Sequence, residues 1–136
     1  MKITVCGSLS FSERMLEVQE VLERRGHTVL VSSSAKSYAG KTNKEKETLT
    51  VKNKTENDAI RNHWEKIKQS DAILVLNYDK RGIKNYIGGN TLMEIGFAHV
   101  LNKKIFLLNP IPDIPYYTSE IEAAKPVILH GNVQAI

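Results

Sequence analysis

Apolar positions fall into short solid runs separated by longer stretches of helical period. Lys2–Cys6, Ala72–Asn77 and Lys104–Leu108 are strand-length runs, and each precedes an amphipathic stretch, at Phe11–Arg25, Thr91–Leu101 and Ser119–Ala124 respectively. That alternation predicts a doubly wound parallel α/β sheet. Thr28–Val31 after Gly26 and Pro126–Leu129 near the end supply two further strands. The expected architecture is a flavodoxin-like or Rossmann-like five-stranded parallel sheet in the order 2-1-3-4-5, forming one domain over residues 1–136.

Helix boundaries are marked by local chemistry. Ser10-Phe-Ser-Glu13 has capping-box spacing, Phe11, Met15, Val18 and Leu22 share one face, and Gly26 follows as a stop. Thr55-Glu-Asn-Asp58 announces a helix to about Gln69, with Ile60, Trp64 and Ile67 turned inward. Residues 32–54 show no sustained period, so a mobile loop is expected there. A lid and a tolerated surface insertion are both open readings of it.

Composition adds limits. A hydrophobic fraction of 41% and a charged fraction of 25% suit a globular chain, and the longest apolar runs are too short for a membrane span. Met1-Lys2-Ile3-Thr4-Val5 has no secretory-signal pattern and Cys6 is the one cysteine, so a cytoplasmic, disulfide-free protein is expected. Cys6 reads as a small buried residue. Much of the basic charge lies in the aperiodic segment from Lys36 to Lys54, with no basic stripe and no interleaved aromatics. A nucleic-acid polymer is therefore disfavoured as a partner. His27, His63, His99 and His130 have no metal-ligand spacing, so no metal is expected.

Ligands of open parallel sheets bind at strand C-termini, beside the point where strand order reverses. Two loops meet there. Gly7-Ser8-Leu9-Ser10 offers close backbone approach and free N–H groups. Asn85–Thr91, with Gly88, Gly89 and Asn90, leads into a helix so apolar that it reads as buried, which puts Glu94 in its first turn with a need for a partner or a task. Thr91-Leu-Met-Glu94 is also capping-box spacing, so capping and nucleophilic or basic catalysis both remain open for Glu94. Asn77 and Asp79 close the third strand and Asp71 opens it, so a second carboxylate is expected near Glu94, as glycosidic chemistry uses. The acidic pair of a receiver domain and a Gly-x-Gly-x-x-Gly dinucleotide pattern are both missing after the first strand, and no cofactor is expected.

Val5-Cys-Gly-Ser8, Ser70-Asp-Ala-Ile-Leu-Val75 and Gly89-Asn-Thr-Leu-Met-Glu-Ile-Gly-Phe-Ala98 together resemble the nucleoside 2-deoxyribosyltransferase superfamily, including the 2′-deoxynucleoside 5′-phosphate N-hydrolases. The resemblance spans residue 2 to about residue 124. It implies Glu94 as nucleophile and Asp71 as a residue that arranges the sugar or proton transfer. It also implies substrate contacts from Gly7, Ser8, Leu9, Ser10, Asn77, Asp79, Gly88, Gly89 and Asn90, with Ser119 reaching a phosphate across a homodimer interface. The implied ligand is a small deoxynucleoside or deoxynucleotide. The first loop carries no cation, and Lys80, Arg81 and Lys84 are the candidates to supply one. The rival reading is a non-catalytic nucleotide-sensing module, with a flavin carrier a weaker third.

Overall fold

The computed structural model describes residues 1–136, all but the side chain of Glu56. Five parallel strands lie in the order β2-β1-β3-β4-β5: β1 Lys2–Cys6, β2 Thr28–Leu30, β3 Ala72–Val75, β4 Lys104–Leu107 and β5 Val127–Ile128. The expected topology is the observed one. The helices are α1 Ser12–Arg24, α2 Ala35–Tyr38, α3 Asn43–Glu56, α4 Ala59–Lys68, α5 Gly89–Val100 and α6 Thr118–Ala123.

Successive side chains of a strand point to opposite faces, so each buried strand feeds two cores. Ile3, Val5, Leu74, Leu76 and Phe106 pack with Met15, Val18 and Leu22 of α1. Cys6, Ile73, Val75, Ile105 and Leu107 pack on the other face with Ile67 of α4, Ile95 and Ala98 of α5 and Ile121 of α6. β3 is buried along its whole length because helices cover both of its faces.

Residues 32–54, expected as a mobile loop, are largely helical. Thr42 caps α3: its hydroxyl accepts from the Glu45 N–H at 3.2 Å, and the Glu45 carboxylate accepts from the Thr42 N–H at 3.3 Å. The helix escapes a search for apolar period because its one deeply buried side chain among residues 43–54 is a lysine, Lys46, rather than an aliphatic residue. Lys46 Nζ lies 2.9 Å from both Glu13 oxygens and donates to the Ser10 carbonyl at 3.1 Å.

That pairing also explains why the capping box expected at Ser10 does not form. Leu9–Phe11 is a 3₁₀ turn capped by Ser8, and α1 begins only at Ser12. Glu13 is drawn instead to Lys46 and to the Gly40 N–H, at 2.8 Å. These contacts hold its carboxyl group down at about 2, the Gly40 hydrogen bond first and Lys46 next.

The expectation of an almost wholly buried α5 is also corrected. Met93 and Val100 are exposed, at 41% and 79%, on an open face of the helix. No helix of the described residues is long and apolar enough to cross a membrane.

Candidate active site

At the carboxyl edge of the sheet, α3, α4 and the start of α5 close a cavity of about 500 Å³ over the end of β1 and the Gly7–Ser10 loop. β1 runs straight into Gly7, whose φ of +148° is a conformation for glycine, and a Cβ there would lie 3.0 Å from the Leu76 carbonyl oxygen. The chain therefore passes close against β3 and presents Ser8, Leu9 and Ser10 to the cavity. Gly88, Gly89 and Asn90 form the facing wall, and Gly88 leaves room for the Tyr86 hydroxyl, which a Cβ would meet at 2.9 Å.

Glu94 borders this cavity, but not from the first turn. α5 is capped by Gly88 and begins at Gly89, so Glu94 is its sixth residue and Thr91 lies inside the helix. The capping-box alternative is not realised. Instead, Glu94 Oε2 lies 2.9 Å from His63 Nε2 on α4, with the two side chains only 12% and 15% exposed. The separation is that of an ion pair, but the ring does not meet hydrogen-bond geometry. Oε2, sealed from solvent, has no hydrogen-bond partner among the described residues. Cys6 Sγ sits behind the pair, 3.6 Å from His63 Nε2. Burial raises the Cys6 thiol well above its usual pKa, and the neighbouring Glu94 charge pushes the same way.

A second cluster of charge stands at the other end. Lys80 Nζ donates to Ser8 Oγ at 2.8 Å and lies 5.5 Å from the centre of the Tyr86 ring. Partial burial lowers its pKa, and Arg81 and Lys46 add to the lowering against an opposing pull from Glu47. Arg81 is paired with Glu47 and Lys46 with Glu13, whereas Lys80 has no carboxylate within ion-pair distance among the described residues.

The remaining expected residues lie elsewhere. Asp71 accepts from the Lys2 N–H at 2.8 Å at the amino edge of the sheet, about 13 Å along β3 from the cavity end. Asn77 is buried and clamps β3 to the segment after β4: it accepts from the Asn109 N–H and donates to the Asn109 and Pro110 carbonyls, at 2.9, 2.9 and 3.1 Å. Asp79 accepts from the Asn85 N–H at 2.9 Å and braces a turn. Ser119 donates to Glu120 on α6 and does not line the cavity of its own chain. The second carboxylate bordering the cavity is Glu47, tied to Arg81.

His63 has no metal-ligand spacing to another histidine or to Cys6 along the chain. Its position three residues after Ile60 and four before Ile67 puts it on the inward stripe of α4, and that was the available signal.

No family model and no curated protein matches the sequence. Solved structures do match. A 2-deoxyribosyltransferase from the psychrotolerant bacterium Bacillus psychrosaccharolyticus aligns with 21% identity and a TM-score of 0.54, covering 91% of this chain and 82% of that one. A CMP N-glycosidase from Clostridium botulinum aligns with 14% identity and a TM-score of 0.52, covering 98% and 93%. The chain shares its fold with both.

Proposed function

We propose that the protein cleaves the N-glycosidic bond of a 2′-deoxyribonucleoside or its 5′-monophosphate, with Glu94 as nucleophile. The observation that carries this reading is a buried-edge carboxylate whose Oε2 lacks a hydrogen bond, set in a cavity beside two glycines where a sugar can approach the backbone. A fold shared with a 2-deoxyribosyltransferase and a CMP N-glycosidase supports it. Attack of the carboxylate on the anomeric carbon breaks the bond to the base through an oxocarbenium-like state and leaves a glycosyl ester. Water then gives hydrolysis, and a second base gives transfer. His63 orients the carboxylate, and Asp71 has no part in the step.

Lys80 favours the monophosphate over the free nucleoside. It is a cation held at the cavity wall by Ser8, with no carboxylate within ion-pair distance among the described residues. Incubation with each natural deoxynucleoside and deoxynucleotide, with and without an acceptor base, tests the reading by chromatography of the free base. Base release by wild type that is lost in Glu94→Ala supports it. Tight nucleotide binding without turnover, unchanged in Glu94→Gln, would instead favour the sensing module.

A cytoplasmic homodimer completes the proposal. The apolar groove of Trp64, Met93, Phe97 and Val100 between α4 and α5 is the face we assign to the second copy. Light scattering on Val100→Asp checks it: a wild-type dimer that falls to monomer agrees, and a wild-type monomer refutes it.

A further inference from the structure

We propose that Cys6, His63 and Glu94 form a site for a zinc-class divalent cation, which on binding takes the Glu94 carboxylate out of reach of a substrate. Three elements far apart in sequence converge here: the last residue of β1, the inward stripe of α4 and the second turn of α5. Their sulfur, nitrogen and carboxylate oxygen all lie within 4.8 Å of one another. A thiolate, an imidazole and a carboxylate form a donor set suited to a borderline-soft ion that takes four ligands in a tetrahedron.

The spacing can be compared with what such an ion requires. Bonds of about 2.3 Å to sulfur and about 2.0 Å to nitrogen at a tetrahedral angle place those two atoms roughly 3.5 Å apart. Cys6 Sγ and His63 Nε2 stand 3.6 Å apart. The same arithmetic places nitrogen and oxygen about 3.4 Å apart, so the Glu94 carboxylate, now 2.9 Å from the ring, moves outward by a fraction of an ångström. That oxygen is buried and has no hydrogen bond to give up. Cys6 closes the back of the site, and His63 and Glu94 border the cavity, so the fourth position opens toward the space where a substrate or water would sit.

Charge and protons balance. The dication binds with the thiolate and the carboxylate to give a neutral unit, and the thiol proton is released to solvent. A neutral unit needs no further counter-ion at the edge of a core that holds Ile67, Ile73 and Ile95. Glu94 is shared with the proposed reaction, so occupancy predicts reversible inhibition. The binding itself does not depend on that reaction.

The test is a titration of chelator-treated full-length protein with Co²⁺ as the spectroscopic probe, followed by displacement with Zn²⁺. Because Cys6 is the one cysteine, a sulfur-to-cobalt charge-transfer band reports this site alone. The expected result is a band and tetrahedral visible absorption saturating at one equivalent and abolished by Zn²⁺. Cys6→Ser removes the charge-transfer band. His63→Ala weakens binding by at least the roughly 10–100-fold that loss of an outer-shell partner alone causes at known sites. His63→Ala, at a partly exposed position and checked by circular dichroism, decides the matter if Cys6→Ser does not fold. No charge-transfer band with excess Co²⁺, or affinity unchanged in both His63→Ala and Glu94→Gln, overturns the site. Where base release is measurable, Zn²⁺ abolishes it and a chelator restores it; a protein with no base release at all leaves the spectral result standing.

Discussion

Replacing Lys80 by methionine removes the ammonium while keeping a straight apolar chain to pack on Tyr86. Two things are lost: the donor to Ser8 Oγ at 2.8 Å and the positive charge at that end of the cavity. A hydrogen bond to a charged group is worth about 1.5–3 kcal/mol, and the partial exposure of Lys80 puts it near the lower limit. A loss of about 1.5 kcal/mol is roughly a tenfold fall in kcat/KM. The fall belongs to the 5′-monophosphate alone, because a free nucleoside presents no anion there. Free base is quantified by chromatography for each nucleoside and its monophosphate, in wild type and variant. Added salt reduces the wild-type preference for the phosphate, since the ammonium is not fully shielded from solvent. The preference also fades on the alkaline side below 10.5, the ordinary lysine value, because burial and the neighbouring cations lower the Lys80 pKa. Equal kcat/KM for nucleoside and monophosphate in wild type, or an equal fall for both in Lys80→Met, refutes the reasoning.

Glu94→Ala lowers base release by several orders of magnitude, and its circular dichroism stays that of wild type because the side chain borders the cavity. Glu13→Gln strips the buried Lys46 ammonium of its charge partner and costs about 2–3 kcal/mol in urea melts at neutral pH, below the full penalty for a broken buried pair because Glu13 is half exposed. With the folded-state pKa depressed to about 2, the Glu13 contribution is complete above the ordinary carboxylate value of 4.5 and is lost as pH falls toward 2; the acid limb of the variant is flatter across that window. Gly7→Ala forces a side chain into a φ of +148° and against the Leu76 carbonyl, and a loss of about 1–3 kcal/mol by thermal melting is expected; an unchanged melting temperature contradicts the close approach of β1 and β3.

The strand order was legible because solid apolar runs such as Ala72–Leu76 have few homes other than a sheet covered on both faces. Glu94 and the glycine walls were legible for a related reason, since loops after parallel strands collect at one edge. The helix over Asn43–Glu56 was not, because its inward anchor is Lys46 and its ends are fixed by side-chain hydrogen bonds that leave no apolar period. Neither capping-box spacing forms a capping box. At Ser10 a 3₁₀ turn moved the helix start, and at Thr91 the helix had already begun at Gly89. In both cases the acidic residue of the motif found a cation or histidine from another helix, and such a partner is visible only once the chain has folded.

The case of Asp71 bears on what chemistry the cavity can perform. In a parallel sheet every strand runs the same way, so a residue just before a strand and a residue beyond its end lie on opposite edges, separated by the full strand length. Asp71 and the Glu94 edge therefore cannot meet however the loops are arranged, and the arrangement of two nearby carboxylates common in glycoside hydrolysis is not built from these residues. Glu47, the other acid at the cavity, is neutralised by Arg81. What stands beside Glu94 is an imidazole and a thiol, with Lys80 and Ser8 at the cavity wall. On the proposed reaction, a site with one acting carboxylate would draw its selectivity from the leaving group and a phosphate held at Lys80 rather than from a second acid. A deoxy sugar suits such a site, because without its 2′-hydroxyl the developing cation is less destabilised and a lone carboxylate can capture it.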